Sequence, residues 1–364
     1  MEENNEYLTT QLITYLGNKR ALLPLISEGL AQTQIRLHKI KMDTFDVFSG
    51  SGIVARFLKQ YSSRVITNDM EEYSHIIAQC YMTNDSDFDS VAYHKWYSCY
   101  NDYLRMSDTL GIISANYAPK DANNIKMGER CFYTPENARV IDATMSFLSY
   151  VPEDLKKYFL GPLLSEASVH VNTSGLFKGF YKDSTGLGAW GGNAGNAVQR
   201  ICGAIEVNPP VLSNFECEHM ELCLNAIHAA EVAPEVDVAY LDPPYNQHPY
   251  GSNYFMLNII ASGQMSDDCS EISGIPNDWN RSAYNKKAEA SLELERLIEA
   301  VKAKFILLSY NNEGIIPSES IDKILSRFGD VNMISKAYPT FRGSRNLQNR
   351  GKAVEERLYI LEKR

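Results

Sequence analysis

The sequence predicts an α/β protein built on an open sheet, with a largely helical insertion. Three observations predict this class. Apolar, partly β-branched segments of strand length recur, and several of them end in an acidic residue. Helical segments separate these strands, as the crossovers of parallel strands require. A long central stretch rich in tyrosine shows mostly helical spacing and no strand pattern.

The length and composition indicate a globular protein. At 364 residues, 44% hydrophobic and 22% charged, the chain suits one large domain or two ordinary ones. No run is apolar enough to span a membrane, and the acidic start at Met1-Glu2-Glu3 does not resemble a signal peptide. Seven scattered cysteines without paired spacing predict reduced thiols, and hence a cytoplasmic protein without a metal site.

The charge is unevenly distributed. Taken over the whole chain, the net charge of −10 argues mildly against a nucleic-acid binder. The segment 336–352 nevertheless carries only basic charged residues. These are Lys336, Arg342, Arg345, Arg350 and Lys352.

The first candidate ligand segment is a loop near the amino terminus. Gly17-Asn18 predicts a turn, and the apolar spacing of residues 21–30 predicts a helix with a proline in its first turn. Tyr15, Gly17 and Lys19 are therefore expected on a loop that enters a helix. The local sequence alone favours a plain turn here over a ligand-binding loop.

A βαβ unit follows. Residues 45–48 predict a strand, the segment Gly50–Gly52 a close turn, and residues 53–60 a helix. A second predicted strand, 64–71, ends in acidic residues that include Asp69. No Gly-Lys-Ser/Thr follows the turn, which excludes a phosphate-binding P-loop. In a nucleotide-binding βαβ unit such an acid accepts hydrogen bonds from ribose hydroxyls, so this order of elements favours a nucleotide site.

Residues 72–160 predict mostly helices outside the sheet. Thr134 is expected to cap a helix that starts at Pro135. A stripe of aromatic residues in this region favours core packing over a surface on which bases stack. The stripe consists of Tyr93, Trp96, Tyr97, Tyr100 and Tyr103.

Four further strands and one helix are predicted in the second half of the chain. The helix, residues 285–302, carries an apolar face that includes Leu292. The first of the strands ends in the acidic residue Glu218. The four strands are expected at 211–218, 236–241, 304–310 and 357–361.

The strand at 236–241 runs into Asp242-Pro243-Pro244-Tyr245. Proline has no N–H, so the pair ends the strand and leaves two carbonyls as fixed acceptors, at the edge where open α/β sheets bind ligands. Asp242 adds a third acceptor, and Tyr245 offers a flat face for stacking. This combination suits the exocyclic amine of a nucleobase, whose nitrogen lone pair becomes more available when both N–H groups are bound. The alternative is a proline-rich turn with a capping aspartate.

Several of these segments, taken in order, resemble the Dam-like adenine-N6 DNA methyltransferases, especially the modification methylases of restriction systems such as the FokI type. The resemblance covers both ends of the chain and the sheet, but not residues 76–160 and 262–300. The matching segments are Tyr15-Leu16-Gly17-Asn18-Lys19, Asp46-Val47-Phe48-Ser49-Gly50-Ser51-Gly52, Asn68-Asp69, Asn172-Thr173-Ser174-Gly175, Asp242-Pro243-Pro244-Tyr245-Asn246, Tyr250-Gly251-Ser252-Asn253-Tyr254, Ser309-Tyr310-Asn311-Asn312-Glu313-Gly314 and Phe341-Arg342-Gly343-Ser344-Arg345-Asn346.

The resemblance implies a Rossmann-like sheet that binds S-adenosylmethionine and methylates adenine in double-stranded DNA. Asp69 would hold the ribose hydroxyls of the cofactor, and Glu218, with Glu216 as its competitor, would lie near the adenine ring of the cofactor. Asp242, Pro243, Pro244 and Tyr245 would be the catalytic residues. The other cofactor contacts that it implies are Tyr15, Gly17, Lys19, Asp46, Phe48, Ser49, Gly50, Gly52 and Asp242.

The resemblance also implies a division of the chain. Residues 1–85 and 205–364 would form the catalytic domain, and the helical insertion 86–204 would be a candidate target-recognition region. Only about two dozen residues separate Glu218 from Asp242, so DNA reading is expected in 86–204, in 262–300 or in both. The glycine-dense loop around Trp190 is equally consistent with a flexible connector and with a DNA-facing loop.

The implied reaction is a direct displacement on an adenine that is flipped out of the duplex. The basic segment 336–352 would bind DNA phosphates. No Pro-Cys pair occurs, which excludes a cytosine-C5 enzyme. The same pocket suits the cytosine-N4 amine or an RNA adenine, and a catalytically inactive DNA-binding relative is the non-enzymatic alternative. A cognate restriction endonuclease is a further expected partner.

Overall fold

A computed structural model describes residues 2–339 and 353–364. Four of the five basic residues that are predicted to bind phosphates lie outside this described part. These four are Arg342, Arg345, Arg350 and Lys352.

One seven-stranded sheet forms the centre of the structure. Its strands are β1 (Met42–Asp46), β2 (Ser62–Asn68), β3 (Glu218–Leu222), β4 (Val236–Leu241), β5 (Ala303–Asn311), β6 (Gly329–Pro339) and β7 (Ala353–Lys363). The strand order is β3-β2-β1-β4-β5-β7-β6. Strands β1 to β5 are parallel, whereas β7 is antiparallel to both β5 and β6. The prediction of an α/β protein with a Rossmann-like sheet is confirmed.

Helices cover both faces of the sheet and form the insertion. In chain order they are α1 (Asn5–Thr9), α2 (Leu23–Leu37), α3 (Ile53–Leu58), α4 (Glu72–Tyr81), α5 (Ser90–Met106), α6 (Ile112–Asn116), α7 (Pro135–Phe147), α8 (Glu153–Val169), α9 (Val198–Ile201), α10 (Ala226–Val232), α11 (Tyr250–Asn253), α12 (Phe255–Ser262), α13 (Ala290–Ala300) and α14 (Ser318–Ser326). Among the described residues, none of these helices has both the length and the apolar character that a membrane span needs.

The apolar side chains of the strands point alternately to two cores. One core lies against α2 and α3 and contains Val238 and Leu307. The other lies against α10, α13 and α14 and contains Ala239 and Leu308. Burial on both faces explains why these strands are almost continuously apolar.

A third core holds the central helices together. It joins α4, α5, α7, α8 and α12, and it includes the predicted aromatic stripe, in which Tyr93 and Tyr100 are fully buried. The prediction that this stripe packs in a core is confirmed. Thr134 caps α7 as predicted, because its hydroxyl accepts the N–H of Asn137 at 3.1 Å. The insertion is therefore packed directly on α4 and α12, which follow β2 and β4 in the chain.

Two predictions about the second half of the chain were wrong. The strand expected at 211–218 is a loop, and β3 starts at Glu218 instead. Leu212 and Cys217 are buried by tertiary packing, and the amide of Asn84 bonds both backbone groups of Cys217, which produces an apolar pattern without a β-ladder. Leu292, expected on the buried face of α13, is 52% exposed.

Candidate active site

An elongated cleft opens at the carboxyl edge of the sheet, where the strand order reverses between β1 and β4. Its volume is about 870 Å³ including the open mouth. Open α/β sheets bind ligands at this position. The residues that line the cleft include Tyr15, Gly17, Phe48, Asp69, Asp242 and Pro244.

The glycine turn after β1 is held by the carboxylate of Asp69. The N–H of Gly50 donates to Asp69 Oδ2 at 2.8 Å, and the N–H of Glu71 donates to Asp69 Oδ1 at 3.0 Å. Gly50 has a φ of +51°, and a Cβ at this position would lie 2.7 Å from the ring of Tyr15. Only glycine is compatible with both conditions. Burial raises the pKa of Asp69, although the two N–H groups oppose this shift.

The side chain of Asn68 fixes the ends of three strands relative to one another. Its amide nitrogen donates to the carbonyls of Val47 and Leu224, both at 3.1 Å, and its oxygen accepts the N–H of Leu224 at 3.0 Å. The chain that follows β3, including Asn225, thereby becomes part of the cleft wall.

Two further carboxyl groups are buried beside the cleft. Asp46 is fully buried at the end of β1, where the backbone N–H groups of Phe48 and Ala55 lie near its carboxyl group. Burial, with Asp242 and Asp69 as nearby acids, raises the pKa of Asp46 well above its usual range. Glu71 lines the cleft and accepts the amide of Asn258 at 2.5 Å. Burial, and then the charge of Asp69, raises the pKa of Glu71 to about 7.

The carboxylate of Asp242 is paired with a buried lysine. Lys19 Nζ lies 3.1 Å from Asp242 Oδ1 and 3.8 Å from Glu356 Oε2, and the side chain of Lys19 is only 4% exposed. Burial alone would lower the pKa of the Lys19 ammonium, but the two carboxylates raise it above its ordinary value. Burial raises the pKa of Asp242 to about 6. The charge and hydrogen bond of Lys19 oppose this shift, and the charge of Glu356 adds to it.

Tyr245 closes the same end of the site. The Lys19 ammonium lies 5.3 Å from the centre of the Tyr245 ring, and the edge of Tyr310 meets that ring at 6.3 Å. The N–H of Ile315 donates to the carbonyl of Tyr245 at 2.9 Å, which ties the loop after β4 to the loop after β5. A carboxylate, a proline turn and an aromatic ring therefore converge at one end of the cleft.

Two tyrosine hydroxyls hold one peptide unit of the amino-terminal loop. Tyr254 accepts the N–H of Leu16 at 2.7 Å, and Tyr250 donates to the carbonyl of Leu16 at 3.0 Å. Both rings also stack on Tyr15, with centroid distances of 4.9 and 5.0 Å. The loop that carries Gly17 is thus fixed to the helices that follow the Asp-Pro-Pro-Tyr segment.

The structure brings most of the predicted site residues to this edge, with different positions for individual side chains. Lys19, which was expected along the cofactor, instead pairs with Asp242. Glu218 lies at the opposite edge, because it starts the parallel strand β3 and pairs with Arg64 near the start of β2. Neither Glu218 nor Glu216, which accepts the N–H of Ser86, therefore lies in the wall of the cleft, although both were candidates for a place near an adenine ring. Of the residues predicted from the sequence, six lie in the cleft wall: Tyr15, Gly17, Phe48, Asp69, Asp242 and Pro244. The others at this edge lie behind or beside that wall: Lys19, Asp46, Ser49, Gly50, Gly52, Pro243 and Tyr245.

Sequence reasoning missed one wall of the cleft. The segment 280–285 crosses its open side, where Tyr284 packs edge-on against Phe48 at 5.4 Å. Asn280 donates to the carbonyl of Met70 at 2.9 Å, and Asn285 donates to the carbonyl of Asn246 at 2.7 Å. The sequence signal for these hydrogen bonds between loops was limited to the repeated asparagines of this polar segment.

The cleft can bind an elongated ligand with hydroxyl or cationic groups and present it to a second ligand at Asp242. Carboxyl groups at Asp69, Glu71 and Asp242, which line the cleft, favour ligands with hydrogen-bond donors. Within the described residues, no group of three or more histidine, cysteine or acidic side chains is placed to bind a metal ion.

Comparisons with known proteins agree with this arrangement. A family model described as D12 class N6 adenine-specific DNA methyltransferase matches residues 15–183 and 214–324. The Type II methyltransferase M.NlaIII of Neisseria lactamica is 27% identical over 366 residues, which cover 96% of this chain and 99% of that protein. The Type II methyltransferase M.CviAII of Paramecium bursaria Chlorella virus 1 is 24% identical, with coverage of 96% and 98%. The modification methylase StsI of Streptococcus sanguinis is 26% identical over 96% of this chain and 52% of its own length.

Proposed function

The chain belongs to the D12 class N6 adenine-specific DNA methyltransferases, and from this membership we propose that S-adenosylmethionine is its methyl donor and that Asp242 receives the target adenine. The observation that carries this proposal is the continuous cleft between Asp69 and Asp242. The end at Asp69 offers carboxylates to the ribose of a nucleoside, and the end at Asp242 offers hydrogen-bond acceptors to an amine.

The cleft residues suit S-adenosylmethionine. The molecule carries a sulfonium, an ammonium and ribose hydroxyls, and all of these favour carboxylate neighbours. Asp69 and Glu71 would hold the ribose, and the chain from Leu224 to Ala226 would lie beside the adenine ring. Bound there, S-adenosylmethionine supplies a methyl group on a positively charged sulfur, which leaves as a neutral thioether.

The residues at the other end would prepare the amine of the target base. Asp242 and the Pro243 carbonyl accept the two amine N–H groups, which directs the nitrogen lone pair toward the methyl group. Stacking on Tyr245 contributes about 1–3 kcal/mol, which offsets part of the few kcal/mol needed to flip the base. After transfer, the amine nitrogen releases one proton, and the carboxylate of Asp242 accepts it.

We further infer that DNA lies along the insertion. The N–H of Phe177 donates to the carbonyl of Asn253 at 2.8 Å, so the start of the glycine-rich loop is anchored beside the catalytic loop. Lys178 and Lys182, on this loop, are exposed. This placement supports the division into a catalytic domain, 1–85 and 205–364, and a target-recognition region, 86–204. Lys336 is also exposed, on the edge strand β6, and would contact phosphate.

Since several relatives are named as modification methylases or Type II methyltransferases, we propose that this enzyme protects DNA from a cognate restriction endonuclease. The test is mass spectrometry of nucleosides from duplex DNA that was incubated with the protein and S-adenosylmethionine. We expect N6-methyladenine in DNA and no methylation of RNA. N4-methylcytosine, or methylation confined to RNA, would refute the proposed substrate. Methylation-sensitive sequencing of the same DNA would then give the recognition sequence.

The glycine turn gives a prediction about cofactor binding. Gly50→Ala would bring a methyl group against the Tyr15 ring at a φ of +51°, so the turn must shift and weaken the Asp69 contact. We expect the affinity for S-adenosylmethionine, measured by calorimetry, to fall at least about tenfold, since a misplaced turn of this kind costs about 1–3 kcal/mol. Gly128→Ala is the matched control, because Gly128 also has a positive φ but no atom lies within 4 Å of its added Cβ. Equal affinity in Gly50→Ala and wild type would contradict the role of the turn.

A further inference from the structure

A buried cluster of one ammonium and two carboxylates lies behind the amine-binding end of the cleft. Its members come from three separate parts of the chain: Lys19 from the amino-terminal loop, Asp242 from the end of β4, and Glu356 from β7. The side chains of Lys19 and Glu356 are 4% and 9% exposed. Asp242 faces the cleft, whereas Glu356 reaches Lys19 from within the sheet.

Glu356 has no evident structural reason to be charged. It is buried between Asn311 on β5 and Lys336 on β6 in the sheet, and no described residue gives its Oε2 a hydrogen-bond partner. Burying a carboxylate is unfavourable unless a cation compensates it, and within the described part of the chain Glu356 forms its ion pair with Lys19. It also lies outside the residues 15–183 and 214–324 that match the family model. Its buried position beside Lys19, which pairs with Asp242, is what links Glu356 to the site.

The second carboxylate changes the net charge of the cluster. Lys19 with Asp242 alone would be neutral, whereas Lys19 with both acids carries one negative charge. In the proposed reaction, positive charge moves from the donor sulfur to the amine nitrogen until that nitrogen releases its proton. A net negative cluster beside the nitrogen favours this shift of charge, and its effect is largest where water is excluded.

We propose that Glu356 is a positioning residue for methyl transfer, which holds Lys19 from the side away from the cleft and so leaves the carboxylate of Asp242 oriented toward the target amine. This inference rests on the proposed function of Asp242. Without Glu356, Lys19 pairs with Asp242 alone and competes with the amine for its oxygens.

The same geometry predicts a change in pH dependence. Glu356 raises the pKa of Asp242, so its removal lowers that pKa and moves the acid limb of the rate profile to lower pH. Among the described residues, the other titratable or charged groups that face Asp242, Lys19 or Glu356 are Asp46, Tyr240, Tyr245, Tyr250, Tyr310 and, across β6, Lys336. None of these groups is removed by a substitution at Glu356. The closer pairing of Lys19 with Asp242 would lower the pKa of Asp242 as well, so both effects move the acid limb in the same direction.

The experiment is a pH profile of single-turnover methyl transfer by Glu356→Gln with saturating S-adenosylmethionine and duplex DNA. We expect a rate about tenfold below wild type at pH 8 and an acid limb about half a pH unit lower. Glu355→Gln is the matched control, because this neighbouring carboxylate accepts hydrogen bonds from Ser335 and Arg357 and belongs to no ion pair of the cluster. It should keep the wild-type rate and profile.

The outcomes separate this inference from the proposed function. A wild-type protein that does not methylate adenine would refute the function itself. An active wild type with a slow Glu356→Gln whose acid limb is unmoved would show a merely structural role and overturn the inference, as would a variant identical to wild type. If Glu356→Gln does not fold, the same pH profile is measured on Glu356→Asp. Its shorter side chain holds Lys19 less well, so a lowered limb supports the inference and an unmoved limb overturns it.

Discussion

Asp242→Ala is expected to reduce methyl transfer by about a thousandfold or more while binding of S-adenosylmethionine largely survives. In the proposed reaction the carboxylate would accept a hydrogen bond from the target amine and receive its proton, and loss of one preorganised electrostatic group of this kind typically costs a factor of about 10²–10³. The proton acceptor is lost in the same substitution. The fold should persist, because Lys19 retains Glu356 as its partner.

The measurement is single-turnover transfer of labelled methyl to duplex DNA, beside calorimetric binding of S-adenosylmethionine. Asp237→Ala is the matched control, since Asp237 lies on the same strand but pairs with Lys39 at the opposite edge of the sheet. It should transfer methyl at nearly the wild-type rate. Substantial activity in Asp242→Ala, within about tenfold of wild type, would refute the proposed mechanism.

Lys19→Met is expected to have the largest effect on stability. It leaves the carboxylates of Asp242 and Glu356 buried without a cation, and removing one partner of a buried ion pair costs about 3–5 kcal/mol. Lys39→Met is the matched control. Its ammonium is 49% exposed in the pair with Asp237, and pairs of this kind contribute at most about 1 kcal/mol.

The loss in Lys19→Met should depend on pH in one direction. The pKa of Asp242, about 6 in the folded protein, lies above its ordinary value, so burial of this carboxylate costs more as the pH rises toward and through that pKa. Without Lys19 the pKa of Asp242 rises further, so the cost of burying its carboxylate continues to grow at pH values above 6. Urea denaturation should therefore show a larger difference from wild type at pH 8 than at pH 5. An equal difference at both values would contradict this assignment of charge.

The sheet and the catalytic end were predictable because local chemistry determines them. Asp242 to Tyr245 combine a buried strand with two residues that cannot continue it, and the Gly50 turn requires a backbone that other residues avoid. Each of these signals depends on adjacent residues. They therefore do not depend on how distant parts of the chain pack.

The wrong and missing predictions concern segments whose structure is determined by tertiary packing. Leu212 and Cys217 look like a strand because a loop buries them, so β3 and the edge occupied by Glu218 were misplaced. Strand β6 is a mostly exposed edge with no apolar alternation, and it was not predicted. The role of Glu356 depends on a contact across more than 300 positions of the chain, with Lys19. No local pattern can signal such a contact.

The two hydrogen bonds that hold the peptide unit of Leu16 affect how S-adenosylmethionine and DNA would influence each other's binding. Tyr250 and Tyr254 fix the amino-terminal loop, which we proposed as part of the cofactor side, to the helices that follow the proposed base-binding turn, so ordering either side would also order the other. Whichever molecule arrives first lowers the entropic penalty for the second. By thermodynamic reciprocity, the factor by which DNA tightens the hold on S-adenosylmethionine equals the factor by which S-adenosylmethionine tightens the hold on DNA.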